Sequence, residues 1–387
     1  MFSRVFARFA RSYFPAITFS ETRYARFLCK YNKASPILAA DIIPPSPAYS
    51  RAVGGHSPEK GQDRVMEHTY FPEGLLLSTV RNRELTGSLA GLELAMDTGA
   101  IIEGTVTLCD SDFQLHVEFP ALVGVRGIIP REEAVWSRDG EPPKDIAILT
   151  RVGKAVACKV TGIETGAEGE TLVRLSRRLA QAECSARYLD TLIPGDIIRA
   201  RVTHLENFGA FVDIGCGIPS LLSVDTISVS RISHPRDRLY NGQMLWVVVR
   251  SIDASNHRIF VSTRELLGTW EENAARYSPG QTVAGIVRSV EEYGVFVELA
   301  PNLAGLAEVR DCDREAVRSL VGRTAAVFIK SISPERMKIK LVLIDAHRGE
   351  SISPPRLHYF IKGDEVEHID SWVYSPAGAK KRVETVF

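Results

Sequence analysis

The feature that most constrains this chain is an internal repeat. Pro194-Gly195 returns as Pro279-Gly280, and Asn207-Phe208-Gly209-Ala210-Phe211-Val212-Asp213-Ile214 returns as Glu292-Tyr293-Gly294-Val295-Phe296-Val297-Glu298-Leu299 at the same offset from the glycine. Strict alternation sets Ala210, Val212 and Ile214 on one strand face and Phe211 with Asp213 on the other. It separates Val295, Val297 and Leu299 from Phe296 and Glu298 in the same way. Phe208 and Tyr293 each precede a glycine, whose missing Cβ permits a kink that brings two aromatics three apart to one side. Taken singly, each ring could cover a strand edge or a loop; the same parity twice points to a small aromatic platform. A repeat of this length, made of short strands, is a duplicated small β domain rather than a helical solenoid.

Residues 194–264 resemble the S1 RNA-binding domain, the five-stranded OB-type barrel repeated in bacterial ribosomal protein S1. The resemblance is carried by Pro194-Gly195, Asn207 to Val212, Ser220-Leu221-Leu222, Arg231-Ile232-Ser233-His234-Pro235 and Ile252-Asp253 through Arg258-Ile259. It implies an RNA-binding face made of Phe208, Phe211, Asp253 and Arg258, and of Tyr293 and Phe296 in the second copy. Ser223 stands where the family usually has His. Asp253 is read either as an acceptor for a base edge or 2′-hydroxyl, or as a holder of Arg258.

Composition limits how such a face could work. Lys+Arg and Asp+Glu are equal at 47 each in 387 residues, so no global positive field marks a nucleic-acid partner and stacking must carry more of the affinity than charge. The six cysteines are scattered singly without a Cys-x-x-Cys pair, which argues against a metal or iron–sulfur site and for reduced thiols of a cytosolic protein. No apolar run approaches the roughly 18 residues of a membrane span. No catalytic Ser/His/Asp or Cys/His set, phosphate loop or paired carboxylate frame is recognisable.

Around the repeat, residues 1–65 combine Arg4, Arg8, Arg11, Arg23 and Arg26 with a Pro- and Gly-rich stretch. They are expected to be a disordered basic extension, a targeting peptide, or sequence upstream of a start at Met66. Residues 66–96 read as a lead-in of short helices. Residues 97–178 track the repeat loosely and are expected to form a degenerate barrel that has lost its platform. Counted from Gly99, the aromatic positions fall on Asp112 and Leu115, with Phe113 and Phe119 in the core and His116 a lone exposed histidine. Arg177 to Leu192, with Leu179, Ala182, Ala186 and Leu189, reads as a linker helix. Glu265 to Tyr277 repeats that arrangement, with Trp270 packed on a neighbouring barrel. In the third barrel, residues 278–345, Glu308 replaces Ser223, Asp253 has no counterpart, and Arg336 or Lys338 is the nearest basic group. In the tail, residues 350–387, Leu357 to Ile361 and His368 to Tyr374 read as a hairpin across Lys362-Gly363-Asp364-Glu365.

The expected fold is all-β: three tandem five-stranded OB-type barrels joined by short helical linkers. The expected function is that of a non-enzymatic, cytoplasmic protein without a cofactor, binding single-stranded RNA such as messenger RNA. The resemblance implies action in translation with the small ribosomal subunit as a further partner. The alternatives are a free regulator of translation or mRNA stability that never docks on the ribosome, and a set of pure protein-interaction modules.

Overall fold

A computed structural model of the chain describes residues 70–166, 170–308, 319–346 and 357–387. The expectations for residues 1–65, including a start at Met66, lie outside these residues. The lead-in opens with a 3-10 turn, Leu76–Ser78, and continues as two helices, Val80–Thr86 and Leu89–Thr98. The side chains of Thr79 and Ser88 cap them by accepting the backbone N–H of Asn82 and Gly91, and Gly99 ends the second in the left-handed region. Leu85, Leu92 and Ala95 join the core of the first barrel.

Three closed five-stranded sheets follow. The first consists of β1 (Ile101–Cys109), β2 (Leu115–Glu118), β3 (Val125–Ile129), β4 (Ala155–Thr165) and β5 (Thr171–Ser176). The second consists of β6 (Ile197–Glu206), β7 (Gly209–Asp213), β8 (Pro219–Ser223), β9 (Met244–Asp253) and β10 (Arg258–Ser262). The third consists of β11 (Thr282–Glu291), β12 (Gly294–Ala300), β13 (Leu303–Ala307), β14 (Thr324–Ser333) and β15 (Lys338–Ala346). In each ring the third and fifth strands close the barrel by parallel pairing, and the other contacts are antiparallel. The chain is therefore mainly β with helices between the rings rather than all-β, an arrangement consistent with tandem OB-type domains.

Alternation decides the cores. Ala210, Val212 and Ile214 are fully buried in the second ring, and Val295 and Val297 in the third. Gly209 is required by close approach rather than by a kink alone. A Cβ there would lie 2.5 Å from the Leu222 carbonyl oxygen, and one on Gly294 would lie 2.6 Å from that of Ala307.

The first linker is a helix, Arg177–Thr191, as its composition predicts, but the buried face differs from the expected one. Ala180, Cys184 and Tyr188 are buried, whereas Leu179 is exposed. Polar anchors rotate it: the Tyr188 hydroxyl donates to the Ile214 carbonyl at 2.9 Å, and Arg177 Nε donates to Glu73 Oε1 at 2.7 Å. The second linker is not a continuous helix. Gly268, at φ +83°, splits it into a turn, Arg264–Leu267, and a short helix, Trp270–Ala274, capped reciprocally by Thr269 and Glu272. Trp270 is buried in the core of the third barrel, as its position in the linker predicts.

The tail departs most from expectation. Its strands are β16 (Ser371–Val373) and β17 (Glu384–Val386), paired with each other, and Leu357 to Ile361 is not a strand. The local turn loses to partners far away in sequence. Ile197 N–H donates to the Glu367 carbonyl at 2.8 Å, Phe360 N–H to Leu266 at 2.9 Å, and Trp270 N–H to Tyr374 at 3.0 Å. The tail is thus a strap across the second and third barrels.

Candidate nucleic-acid interface

The two aromatic pairs form as the repeat predicts. Phe208 and Phe211 meet edge to face, with ring centroids 6.0 Å apart and planes at 90°. Tyr293 and Phe296 repeat this at 6.1 Å and 88°. Phe208 is 55% exposed and Tyr293 66%, while Phe211 and Phe296 are half-buried. Each pair offers solvent a small π surface at the mouth of a hairpin.

Asp253 and Arg258 face each other across the β9–β10 turn. The Asp253 carboxylate accepts from Ser255 Oγ at 2.6 Å, Asn256 Nδ2 at 2.7 Å and Asn256 N–H at 3.1 Å. Hydrogen bonds from Ser255 and Asn256 hold its carboxyl below the usual range. Asp253 therefore braces its own turn, and Arg258 is exposed on the rim. Ser223 donates to Asp225. In the third barrel Glu308, Arg336 and Lys338 are all exposed.

The residue two beyond each platform behaves differently from its predicted place on an outer, polar face. Asp213 and Glu298 are 3% and 4% exposed, each buried where the preceding module docks. Asp213 accepts from the Glu73 N–H at 2.7 Å, and from Gly215 and Gly217 at 2.8 and 3.0 Å. Burial, and after it the neighbouring Glu73 charge, pushes its carboxyl up to about 7. Glu73 itself takes both Arg177 and the Ala157 N–H, tying lead-in, first barrel and linker to the second barrel. Glu298 accepts from Arg238 Nη1 at 2.6 Å and Arg288 Nε at 2.7 Å, and Arg238 is fully buried. Asn302 completes that joint, accepting the Val229 N–H and donating to the Arg264 and Gly268 carbonyls.

Strand register corrects the expected alignment of the first barrel by one residue. His116 pairs with Leu108 as Phe211 pairs with His204 and Phe296 with Ser289, so Phe113 and His116, rather than Asp112 and Leu115, hold the aromatic positions. The β1–β2 hairpin carries one extra residue, organised by Asp110, whose Oδ1 accepts the N–H groups of Asp112 and Gln114. Nor is His116 a lone exposed histidine: its Nε2 lies 3.0 Å from Asp110 Oδ2. Phe113 sits at φ +60° with the Arg131 guanidinium 4.6 Å from its ring centroid. Leu115 is core, as are Val117 and Phe119.

Beside Phe211 and Arg258 lies a cleft of about 740 Å³ between the first and second barrels, with Trp136, Arg151 and His257 among its walls. Spacing gives no sign of it, since its walls come from segments far apart in the chain. Among the described residues no group of His, Cys, Asp or Glu is placed to hold a metal, and no helix is long and apolar enough to cross a membrane.

Comparison with known proteins agrees with this geometry. Residues 191–264 match the S1 RNA binding domain family. Small ribosomal subunit protein bS1 homolog of Bacillus subtilis is 28% identical over 256 residues, covering 64% of this chain and 62% of that protein. Small ribosomal subunit protein bS1 of Staphylococcus haemolyticus is 29% identical over 277 residues, covering 69% and 67%. The chain spans about three-fifths of the length of the Bacillus relative. A solved multidomain protein with nucleic acid binding domains from Streptococcus pneumoniae overlays 64% of this chain and 73% of its own, at 16% identity and a TM-score of 0.21, too low to carry an argument. Residues 191–264 are thus an S1 RNA-binding domain, and over most of its length the chain is a distant relative of bacterial ribosomal protein bS1.

Proposed function

We propose that this chain is a non-enzymatic, cytoplasmic protein that binds single-stranded RNA, messenger RNA foremost, and acts in translation in association with the small ribosomal subunit. The observation that carries the reading is the duplicated aromatic pair, with the same spacing, the same edge-to-face geometry and the same exposed first ring in two barrels. Bases stack on Phe208 and Phe211, where any base offers a π face, and Arg258 on the rim neutralises a phosphate. Tyr293 and Phe296 give a second platform, weakened by the Glu308 carboxylate standing where the second barrel has Ser223. Because the net charge is zero, affinity comes from stacking more than from counterion release.

Two measurements on the full chain test the reading. Fluorescence anisotropy with labelled single-stranded RNA tests the binding, and co-sedimentation with small ribosomal subunits tests the docking. Binding without co-sedimentation would leave a free regulator of translation or mRNA stability. No binding to any single strand would leave protein-interaction modules.

A further inference from the structure

We propose that the cleft between the first and second barrels is a nucleotide subsite, filled by the unpaired nucleotide adjoining those stacked on Phe208 and Phe211 of the same strand. The inference rests on the RNA-binding reading of the second barrel and deepens it. It gives the first barrel a part in RNA contact through the cleft it shares with the second.

Three observations meet at this cleft. The first is continuity: Phe211 and Arg258 lie on one wall and Trp136 and Arg151 on the other, so a strand leaving the platform has the cleft next to it. Its volume, about 740 Å³, falls within the roughly 300–1,000 Å³ of ligand clefts. The second is a fixed rim. The Trp136 and His257 rings meet at 5.7 Å and 61°, and Arg138 Nη1 donates to the Ser255 carbonyl, anchoring a first-barrel loop on the β9–β10 turn. The Glu73–Arg177 pair beneath holds the two barrels in this relation, so the opening is built into the joint.

The third is unused hydrogen-bonding capacity. Arg151 Nε and His257 Nδ1 are buried without a partner; among the described residues Trp372 Nε1 is the one other such side-chain atom. The Arg151 guanidinium otherwise makes only long contacts, 3.4 Å to Glu73 Oε2 and 3.5 Å to Thr150 Oγ1. A phosphate or base carbonyl entering the cleft supplies the acceptor that Arg151 lacks, and a base edge suits the imidazole as donor or acceptor according to its tautomer. Glu73 and Asp213 also line the cleft, but they are only 7% and 3% exposed, Glu73 is paired with Arg177, and Asp213 accepts three backbone N–H groups. His257 closes the β9–β10 turn at φ +50°, as Met337 closes the matching turn of the third barrel at φ +48°, so this backbone geometry belongs to the turn. Trp136 adds a half-buried π surface.

The test uses the full chain and labelled single-stranded RNA of about four and about eight nucleotides, the shorter being the least that one OB barrel covers. The variants are Trp136→Ala and His257→Gly, the latter keeping a residue at ease with positive φ. Each is expected to weaken the longer strand about five- to tenfold, the scale of one lost stacking contact, and to leave the shorter strand as in the parent. Trp136 is the one tryptophan of the four that is not buried, so the longer strand should quench tryptophan fluorescence in the parent and not in Trp136→Ala. Variants that bind both strands as the parent does, or lose both equally with a lowered melting temperature, overturn the proposal. So does quenching by adenosine monophosphate alone, which would make the cleft a free-nucleotide site. Phe208→Ala with Phe211→Ala is measured alongside; if it binds as the parent does, the platform reading fails first, and separately.

Discussion

The second and third barrels carry the same aromatic pair in nearly the same geometry, yet their surroundings set them apart. Phe211 looks onto a cleft walled by the first barrel, whereas the third platform has Glu308 at the position of Ser223. Two residues beyond each platform stands a buried carboxylate, and these differ too. Asp213 shares its site with Glu73 and is pushed up to about 7, while Glu298 lies between two arginines. A repeated motif thus fixes where rings and joints fall, but the neighbouring module sets the electrostatics of each copy.

The largest expected effect comes from breaking the joints. Removing one partner of a buried ion pair costs about 3–5 kcal/mol, because the other charge stays buried. Arg177→Ala should approach that loss in denaturant unfolding, because Arg151 reaches Glu73 only at 3.4 Å. Arg238→Ala should cost less at the other joint, where Arg288 still holds Glu298 at 2.7 Å. A loss below about 1 kcal/mol at either position would mean that the barrels are not held by these pairs.

Next comes the contrast between platforms. Tyr293→Ala with Phe296→Ala should weaken RNA binding less than the matching change in the second barrel, and Glu308→Gln should strengthen binding about two- to threefold, on the scale of one exposed charge interaction. Equal losses from both platforms would remove the distinction.

A smaller effect is expected from pH. Burial pushes the carboxyls of Glu103 and Asp213 up to about 7, from ordinary values of 4.5 and 3.8. Each binds its proton more tightly folded than unfolded, so it contributes stability that is complete below about pH 4 and lost as pH rises through about 7. The melting temperature should therefore fall between pH 5 and pH 8, by about 2–4 °C for each kcal/mol lost. Glu103→Gln with Asp213→Asn should flatten that slope; an unchanged slope would place its origin elsewhere. The subtlest readout is salt: log K against log salt should have a shallow slope, equivalent to about two to four phosphates, in line with zero net charge.

Much of this was legible in the sequence where alternation and a second copy agree. The cores of the second and third barrels, both aromatic pairs and the packing of Trp270 follow from period two and from the repeat. Period two separates inside from outside, but it cannot tell solvent from another barrel, so it sets Asp213 and Glu298 on an outward face that is in fact a joint. One extra residue in the Asp110 hairpin moved the aromatic positions of the first barrel from Asp112 and Leu115 to Phe113 and His116. Gly268 interrupts what reads as a helix, and the tail's apparent hairpin loses to backbone partners in the second and third barrels. The cleft at Trp136, Arg151 and His257 had no signal at all, since it exists only once the barrels are packed.

The central claim is that Phe208 and Phe211 are RNA contacts rather than structural rings. Affinity for single-stranded RNA and thermal unfolding, measured on the same samples of the parent and of Phe208→Ala with Phe211→Ala, test it most directly. Each stacked base is worth about 1–3 kcal/mol, so the account predicts a loss of about tenfold or more in affinity with a near-native melting temperature. Parental affinity in the double variant, or a loss of binding that tracks unfolding, would contradict it.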